Sequence, residues 1–375
     1  MDQPEDLDQL VDELHASSFA RPRRLSRLED WLTAVTARNA SDLLLVGGLP
    51  PCIRVDGRVQ ALAESPLDGD EIEDAMLPAV PPHAARRYRE LQSADASVRF
   101  NGRRFRVNLH RERGRAAAAI RALPAEVPRL AGLDLPPEAD QLSRLPRGLV
   151  LFGGATGSGK TTTLAAVVDA INRRDARHIV TIEDPIEYEH QHHASVVEQL
   201  EVGIDTPDFP TALRAAVRQA PDVIVIGEMR DPETMHIALN AAETGHLVLS
   251  TIHAMDIASA VARIGDSFAP ERQNTIRQEL AMAIAAVMTQ ALLPRAGGGV
   301  VPAAELLVFG YGARQHVRKN ALQHLHQEIT ITRKSGSLAF EESLARLVRE
   351  GRLDRQDARL AARHPEELDQ ILSTV

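Results

Sequence analysis

The stretch 148–162, GLVLFGGATGSGKTT, constrains the fold of this chain more than any other. Residues 149–152 form an uninterrupted apolar run of strand length. Gly154, Ala155, Thr156, Gly157, Ser158, Gly159, Lys160 and Thr161 then fit the spacing G-x-x-x-x-G-K-[ST]. Glycines at those positions let successive backbone N–H groups turn inward around phosphate oxygens. Lys160 reaches the outer phosphates, and the Thr161 hydroxyl is placed to ligate Mg2+. From Thr162 an apolar-periodic run to residue 171 supplies a helix whose positive N-terminal end faces those phosphates. Strand, loop, lysine, hydroxyl and helix in that order predict a nucleoside triphosphate site in an α/β domain. A glycine-rich loop matching by chance would have to imitate all five.

The elements around this loop alternate between strand and helix, as a mostly parallel sheet requires. Strands are expected over 178–182, 196–201, 223–226, 247–250 and 301–309, and helices over 209–219, 232–244, 257–268 and 271–290, the last long enough to lie across the domain. Helical segments follow over 312–320, near 325–332, and over 338–350 and 356–362. Upstream, residues 29–122 read as a small mixed α+β domain, with helical spacing over 29–35, 67–77 and 84–91. Its hairpin signals are Asp56-Gly57 and Asn101-Gly102. Residues 1–28 read as an extension with a helix-like acidic piece over 7–15 and an arginine cluster at Arg21, Arg23 and Arg24. Prolines at 124, 128, 136 and 146 mark a connector over 123–147, leaving 148–310 for the nucleotide domain and 311–375 for a helical C-terminal region.

Acids and histidines gather at strand ends, where open α/β sheets hold their ligands. The apolar run 223–226 leads to Glu228, the pattern of a strand whose terminal acid holds Mg2+ directly or through water. Glu183, Asp184 and Glu187 follow the strand before it. Three carboxylates within five residues are costly to hold together without a metal, a base role or solvent, so one of them is expected to activate water. His246 and His253 bracket one strand, and each imidazole can either serve structure or report on a bound phosphate. Arg106, Arg111, Arg113, Arg115 and Arg121 crowd the end of the small domain. Strand edges and solvation account for most such arginines, yet triphosphate cleavage gains from guanidinium groups laid against the transferring phosphate.

Composition narrows the partners. The formal net charge is -9, and lysine occurs only at 160, 319 and 334. An acidic chain with one tryptophan and three tyrosines has little with which to track or stack nucleic acid, so no nucleic-acid partner is expected. The single cysteine, Cys52, leaves neither a disulfide framework nor a cysteine zinc site. A reducing compartment is expected. No stretch approaches the ~18 consecutive apolar residues of a spanning helix.

Four motifs carry a resemblance to a known family: GATGSGKTT at 154–162, TIEDPIEY at 181–188, APDVIVIGEMRD at 220–231 and AAETGHLVLSTIHA at 241–254. They resemble the type II/IV secretion ATPase superfamily (GspE/PilT type), most nearly its PilT/PilU branch of type IV pilus retraction ATPases. ASDLLL, GLPPCIRVDGRV and RFRVNLHRERG resemble that family's PAS-like N-terminal domain. The resemblance implies a RecA-like P-loop domain behind a PAS-like α+β domain. It implies Mg2+-dependent ATP hydrolysis with phosphates on the loop 154–162, Mg2+ on Thr161 and Glu228, and water activated by Glu187. His246 and His253 would sense the site, and Arg106, Arg113 and Arg121 match positions around which the family brings arginines to nucleotide. It further implies a homo-hexamer, cytoplasmic and peripheral at the inner membrane through a PilC-like pilus platform protein, driving twitching motility alone or beside a second PilT/PilU-like motor. GARQHVRKN at 312–320 resembles the family's retraction segment. VGIDT at 202–206 and RQAPDVIVIGE at 218–228 lean toward the accessory relative, and Leu44 and Ala96 depart from the small-domain pattern. A pilus assembly or type II secretion ATPase shares the nucleotide motifs, but usually with a longer N-terminal region and a four-cysteine insertion. A non-hydrolysing ring subunit that binds ATP as structural glue is the alternative from another class.

Overall fold

The computed structural model of the chain describes residues 25–374. The helical piece and arginine cluster expected before residue 25 lie outside the described residues. The chain divides into two compact units, Met1–Ala125 and Glu126–Val375.

In the first unit, α1 (Leu25–Ala37) turns Leu28, Trp31, Leu32 and Val35 inward, the spacing of one helix face. Leu28 is only 3% exposed, so the folded unit starts inside the stretch expected as an extension. The strands β1 (Asp42–Val46), β2 (Cys52–Val55), β3 (Arg58–Ala61), β4 (Ser93–Phe100), β5 (Arg103–Glu112) and β6 (Arg115–Ala122) form an antiparallel sheet in the order β3-β2-β1-β6-β5-β4. Asp56-Gly57 and Asn101-Gly102 take positive φ at both central residues and close the expected hairpins. Arg113-Gly114 closes a third hairpin in the same way. Two further helices, α2 (Gly69–Met76) and α3 (Pro82–Leu91), complete the unit. Asp68 caps α2 in a reciprocal box with Glu71. Pro82 occupies the first turn of α3, where its missing N–H costs nothing. The core joins Trp31, Leu43, Ile53, Ile72, Tyr88 and Phe105.

The second unit holds β7 (Gly148–Gly153), β8 (His178–Glu183), β9 (Val196–Glu201), β10 (Val223–Glu228), β11 (Leu247–Ile252), β12 (Ile284–Pro294) and β13 (Val300–Val308), in the order β13-β12-β7-β11-β10-β8-β9. All pairings are parallel except β12 with β13. Successive residues of β7 serve opposite faces. Leu149 and Leu151 join a core with α5 (Phe209–Ala216), α6 (Pro232–Glu243), α7 (Ile257–Asp266) and α8 (Pro270–Ala283), while Val150 and Phe152 pack against Leu164, Val167 and Ile171 of α4 (Lys160–Arg174). The C-terminal helices are α9 (Tyr311–Arg318), α10 (Leu325–Ile331), α11 (Phe340–Arg349), α12 (Arg355–Ala361) and α13 (Pro365–Ser373).

One expectation is overturned. The helix expected over 271–290 ends at Ala283, and Ile284 begins a strand. β12 pairs with β7 on one side and β13 on the other, so it satisfies backbone groups that β7 would otherwise leave open at a sheet edge. An apolar run cannot by itself separate a buried helix from a strand buried on both faces.

Candidate functional site

The loop after β7 depends on glycine where backbone crowds backbone. At Gly154 φ is +147°, and a Cβ there would lie 2.3 Å from Ser158 Oγ and 2.5 Å from the Gln290 carbonyl oxygen. Gly159 has a φ of +87° and leads into α4 without a side-chain cap. The first-turn N–H groups of α4 therefore lack intrahelical acceptors and are available to an anion. Lys160 is buried, its Nζ donating to the carbonyls of Gly154 at 2.9 Å and Ala155 at 2.8 Å. An ammonium has three N–H bonds, so one remains for a ligand. Burial pulls Lys160 below the usual lysine range, and the charges of Glu228 and Glu187 oppose that shift. All three groups thus lie within electrostatic reach.

The floor of the loop comes from β12. Gln290 Nε2 donates to the Ser158 carbonyl at 2.6 Å. Thr289 pairs in register with Gly153, and its methyl would stand 2.8 Å from a Cβ placed there. Ser158 Oγ and Gln290 Oε1 are buried with no hydrogen-bond partner. Sequence reading missed Gln290 because it fell at the end of the expected helix.

β8 delivers the acidic stretch. Glu183 Oε1 accepts from Thr181 Oγ1 at 2.7 Å and Gln199 Nε2 at 3.0 Å. Burial pushes its carboxyl up to about 7 against those hydrogen bonds, and the Glu187 charge adds to the rise. Asp184 is exposed and Glu187 half-buried. The Tyr188 hydroxyl lies 3.0 Å from Thr162 Oγ1, tying this stretch to the first turn of α4. Gln199 on β9 also donates to the Tyr188 carbonyl at 2.9 Å and accepts from the His190 N–H at 2.8 Å. It organises a loop to which no sequence motif assigns it.

Glu228 ends β10 with both oxygens engaged. Oε1 lies 3.2 Å from His253 Nε2, and Oε2 accepts from Arg230 Nε at 2.8 Å. The register shift between β10 and β11 at Ile226 and Glu228 sets that acid beside the end of β11, from which His253 follows. His246 is not brought to the same place. It precedes β11, accepting from the Gly148 N–H at 2.9 Å through its carbonyl, with Nδ1 2.9 Å from the Ala241 carbonyl. A strand of this length spans about 20 Å, so within one chain His246 stands at the N-terminal end of β11, away from the loop. Of the two histidines expected to sense the site, the structure sets His253 beside Glu228 and His246 at the opposite end of β11.

Arg106 and Arg121 are cross-strand neighbours in the first unit. Arg121 Nε donates to Asp42 at 3.0 Å, which helps hold the Asp42 carboxyl below its usual range against the opposing effect of burial. Arg113 occupies the hairpin turn at the other end of β5, 89% exposed in its side chain. The arginines expected as one cluster thus divide between two ends of a strand.

Thr161 and Glu228 offer oxygen donors only, a set that suits Mg2+. Among the described residues no group of three or more His, Cys, Asp or Glu could hold a metal by itself.

Residues 102–351 match the family model described as type II/IV secretion system protein. The chain belongs to the type II/IV secretion ATPase family. It is 38% identical over 340 residues to the type IV pilus retraction ATPase PilT of Pseudomonas aeruginosa, covering 90% of this chain and 99% of the relative. It is 36% identical over 332 residues to the type IV pilus ATPase PilU of the same organism, covering 88% and 87%. A crystal structure of the pilus retraction motor PilT with bound ADP superposes with a TM-score of 0.83 at 38% identity, covering 91% of this chain and 98% of that one. The second unit is accordingly a RecA-like P-loop ATPase domain of the GspE/PilT type, preceded by a smaller α+β domain, and the chain is an ATPase.

Proposed function

We propose that this chain is the ATP-hydrolysing subunit of a Mg2+-dependent hexameric motor that powers type IV pilus retraction and twitching motility. The reading is supported by Lys160 of the glycine loop lying within electrostatic reach of Glu187 and Glu228, in a chain that matches the retraction ATPase PilT over 99% of that relative's length. In this reading the backbone N–H groups of 154–162 and Lys160 bind the phosphates. Mg2+, held by Thr161 and Glu228, would neutralise charge on the β- and γ-phosphates. Glu187 takes a proton from water as its oxygen attacks the γ-phosphorus and the bond to the bridging oxygen of ADP breaks. His253, paired with Glu228, responds to that change, and Arg106, Arg113 and Arg121 supply further guanidinium charge. His246 keeps a sensing role only through a group outside its own chain's loop.

The proposed setting is cytoplasmic, peripheral at the inner membrane through a PilC-like platform protein. Among the described residues no helix is long and apolar enough to cross a membrane. A second reading, an accessory motor working beside another ATPase, is favoured by the comparable match to PilU.

Phosphate release by purified protein with Mg2+ and ATP tests the chemistry. Wild type is expected to turn over and Glu187→Gln to lose at least ~100-fold. Absent turnover in the wild type, unaltered by that substitution, would leave only the structural ring subunit. Deleting the gene while watching labelled pili tests the motor. Filaments that extend and persist support retraction, and loss of filaments supports assembly. Normal retraction that weakens only under load supports the accessory role.

A further inference from the structure

Arg363 lies between α12 and α13, far along the chain from Lys160, yet its guanidinium reaches two elements that border the loop. Nη1 pairs with Glu305, and Nη2 donates to the Met255 carbonyl and, at 3.1 Å, to Thr289 Oγ1. Thr289 is fully buried and faces Gly153 across the sheet, one residue before the Gln290 that supports Ser158. Met255 closes the short stretch that begins at His253, the partner of Glu228. Glu305 Oε2 also accepts from Thr289 Oγ1 at 3.2 Å and from the Ile257 N–H at 3.4 Å. One planar fork therefore joins the floor of the phosphate loop to the segment that carries His253.

The arginine is itself firmly presented. Glu341 accepts the backbone N–H groups of Arg363 at 3.0 Å and His364 at 2.9 Å, and the guanidinium lies 4.5 Å from the Phe340 ring centroid. A staple between C-terminal helices and sheet would need only the pair with Glu305. Burying such a pair is seldom a net gain in stability. The second nitrogen, directed at Met255 and Thr289, sets a distance between the middle of β12 and the segment after β11.

We propose that Arg363 is a positioning residue for hydrolysis: it fixes the spacing between the β12 floor and the His253 segment, and so couples the C-terminal helices to the rate of phosphate cleavage rather than to nucleotide binding. The proposal rests on the loop being the ATP site. Ground-state binding draws on the loop backbone and Lys160, which Arg363 does not touch, whereas the Glu228–His253 arrangement depends on where residues 253–255 sit.

The test uses full-length assembled protein, with active sites counted by ADP titration and the single-turnover rate expressed per competent site. Arg363→Gln is expected to lower that rate about tenfold with ADP affinity within about twofold of wild type. A purely structural role would lower the melting temperature and the number of competent sites while leaving the rate per site unchanged, and that result overturns the proposal. Equal losses in rate and affinity overturn it as well. Should Arg363→Gln not fold, Thr289→Val decides, since it keeps the packing and removes the hydroxyl between Arg363 and Glu305. A rate about threefold lower supports the proposal, and an unchanged rate ends it. Wild-type protein that binds no ADP would instead remove the reading on which the inference stands.

Discussion

Two side chains near the acidic stretch titrate in opposite senses, and their balance is visible only when one is removed. Glu183 is pushed up to about 7 by burial, so between pH 4.5 and 7 the folded chain keeps a proton that the unfolded chain has released. Its contribution is therefore present below pH 4.5 and lost as pH rises through that window. His190 is pulled down to about 4 by burial, with Asp169 opposing and His193 assisting. Between pH 6.5 and 4 the unfolded chain binds a proton that the folded chain refuses, so stability falls as pH falls. Where the windows overlap the two slopes cancel. Glu183→Gln should expose the histidine slope, with the urea midpoint dropping from pH 6.5 to 4.5 more steeply than in wild type. His190→Asn should expose the opposite slope. Parallel profiles for wild type and both variants would show that neither group titrates as its surroundings require. The spacing of the acids was legible in the sequence. The shift was not, because it arises from burial by the packing around Glu183, against the hydrogen bonds from Thr181 and Gln199.

At the scale of the element, β12 is where sequence and fold part company. Residues 284–290 carry no charge and suit either a buried helix or a buried strand, and only the open edge of β7 decides between them. The alanine run of β6 is a parallel case, since alanine favours helix yet Ala116–Ala118 lie buried in the sheet. Misreading β12 hid Gln290, which holds the Ser158 carbonyl from below and is 5% exposed. Gln290→Met keeps the volume but leaves that carbonyl without its donor, at a cost of about 1–3 kcal/mol. We expect a melting temperature lower by about 2–8 °C without nucleotide, and weaker ADP binding because the loop loses its floor. A thermal shift titration with ADP reads both. Unchanged affinity would mean that the loop keeps its shape from its glycines alone.

For the whole molecule, the phosphate loop, the strand-end acids and the alternation of strand and helix were legible because each is local in sequence. The partners of Arg363, the tie from Tyr188 to Thr162 and the pairing of His253 with Glu228 were not, since each depends on how distant segments close on one another. His246 would bear on the proposed ring. An imidazole about 20 Å along a strand from the loop of its own chain can sense nucleotide only through a relay or through another copy. If subunits of the proposed ring act in concert, inactive Glu187→Gln chains should poison their neighbours. Wild-type and variant chains would be co-assembled at graded ratios and phosphate release measured at fixed total protein. Independent sites give activity in proportion to the wild-type fraction, whereas coupled sites give a curve that falls well below that line at the first additions. Repeating the series with His246→Ala in the wild-type chains then locates the coupling. A return toward proportionality would assign His246 to communication between copies, and a curve unchanged in shape but lower in height would assign it to the fold of β11.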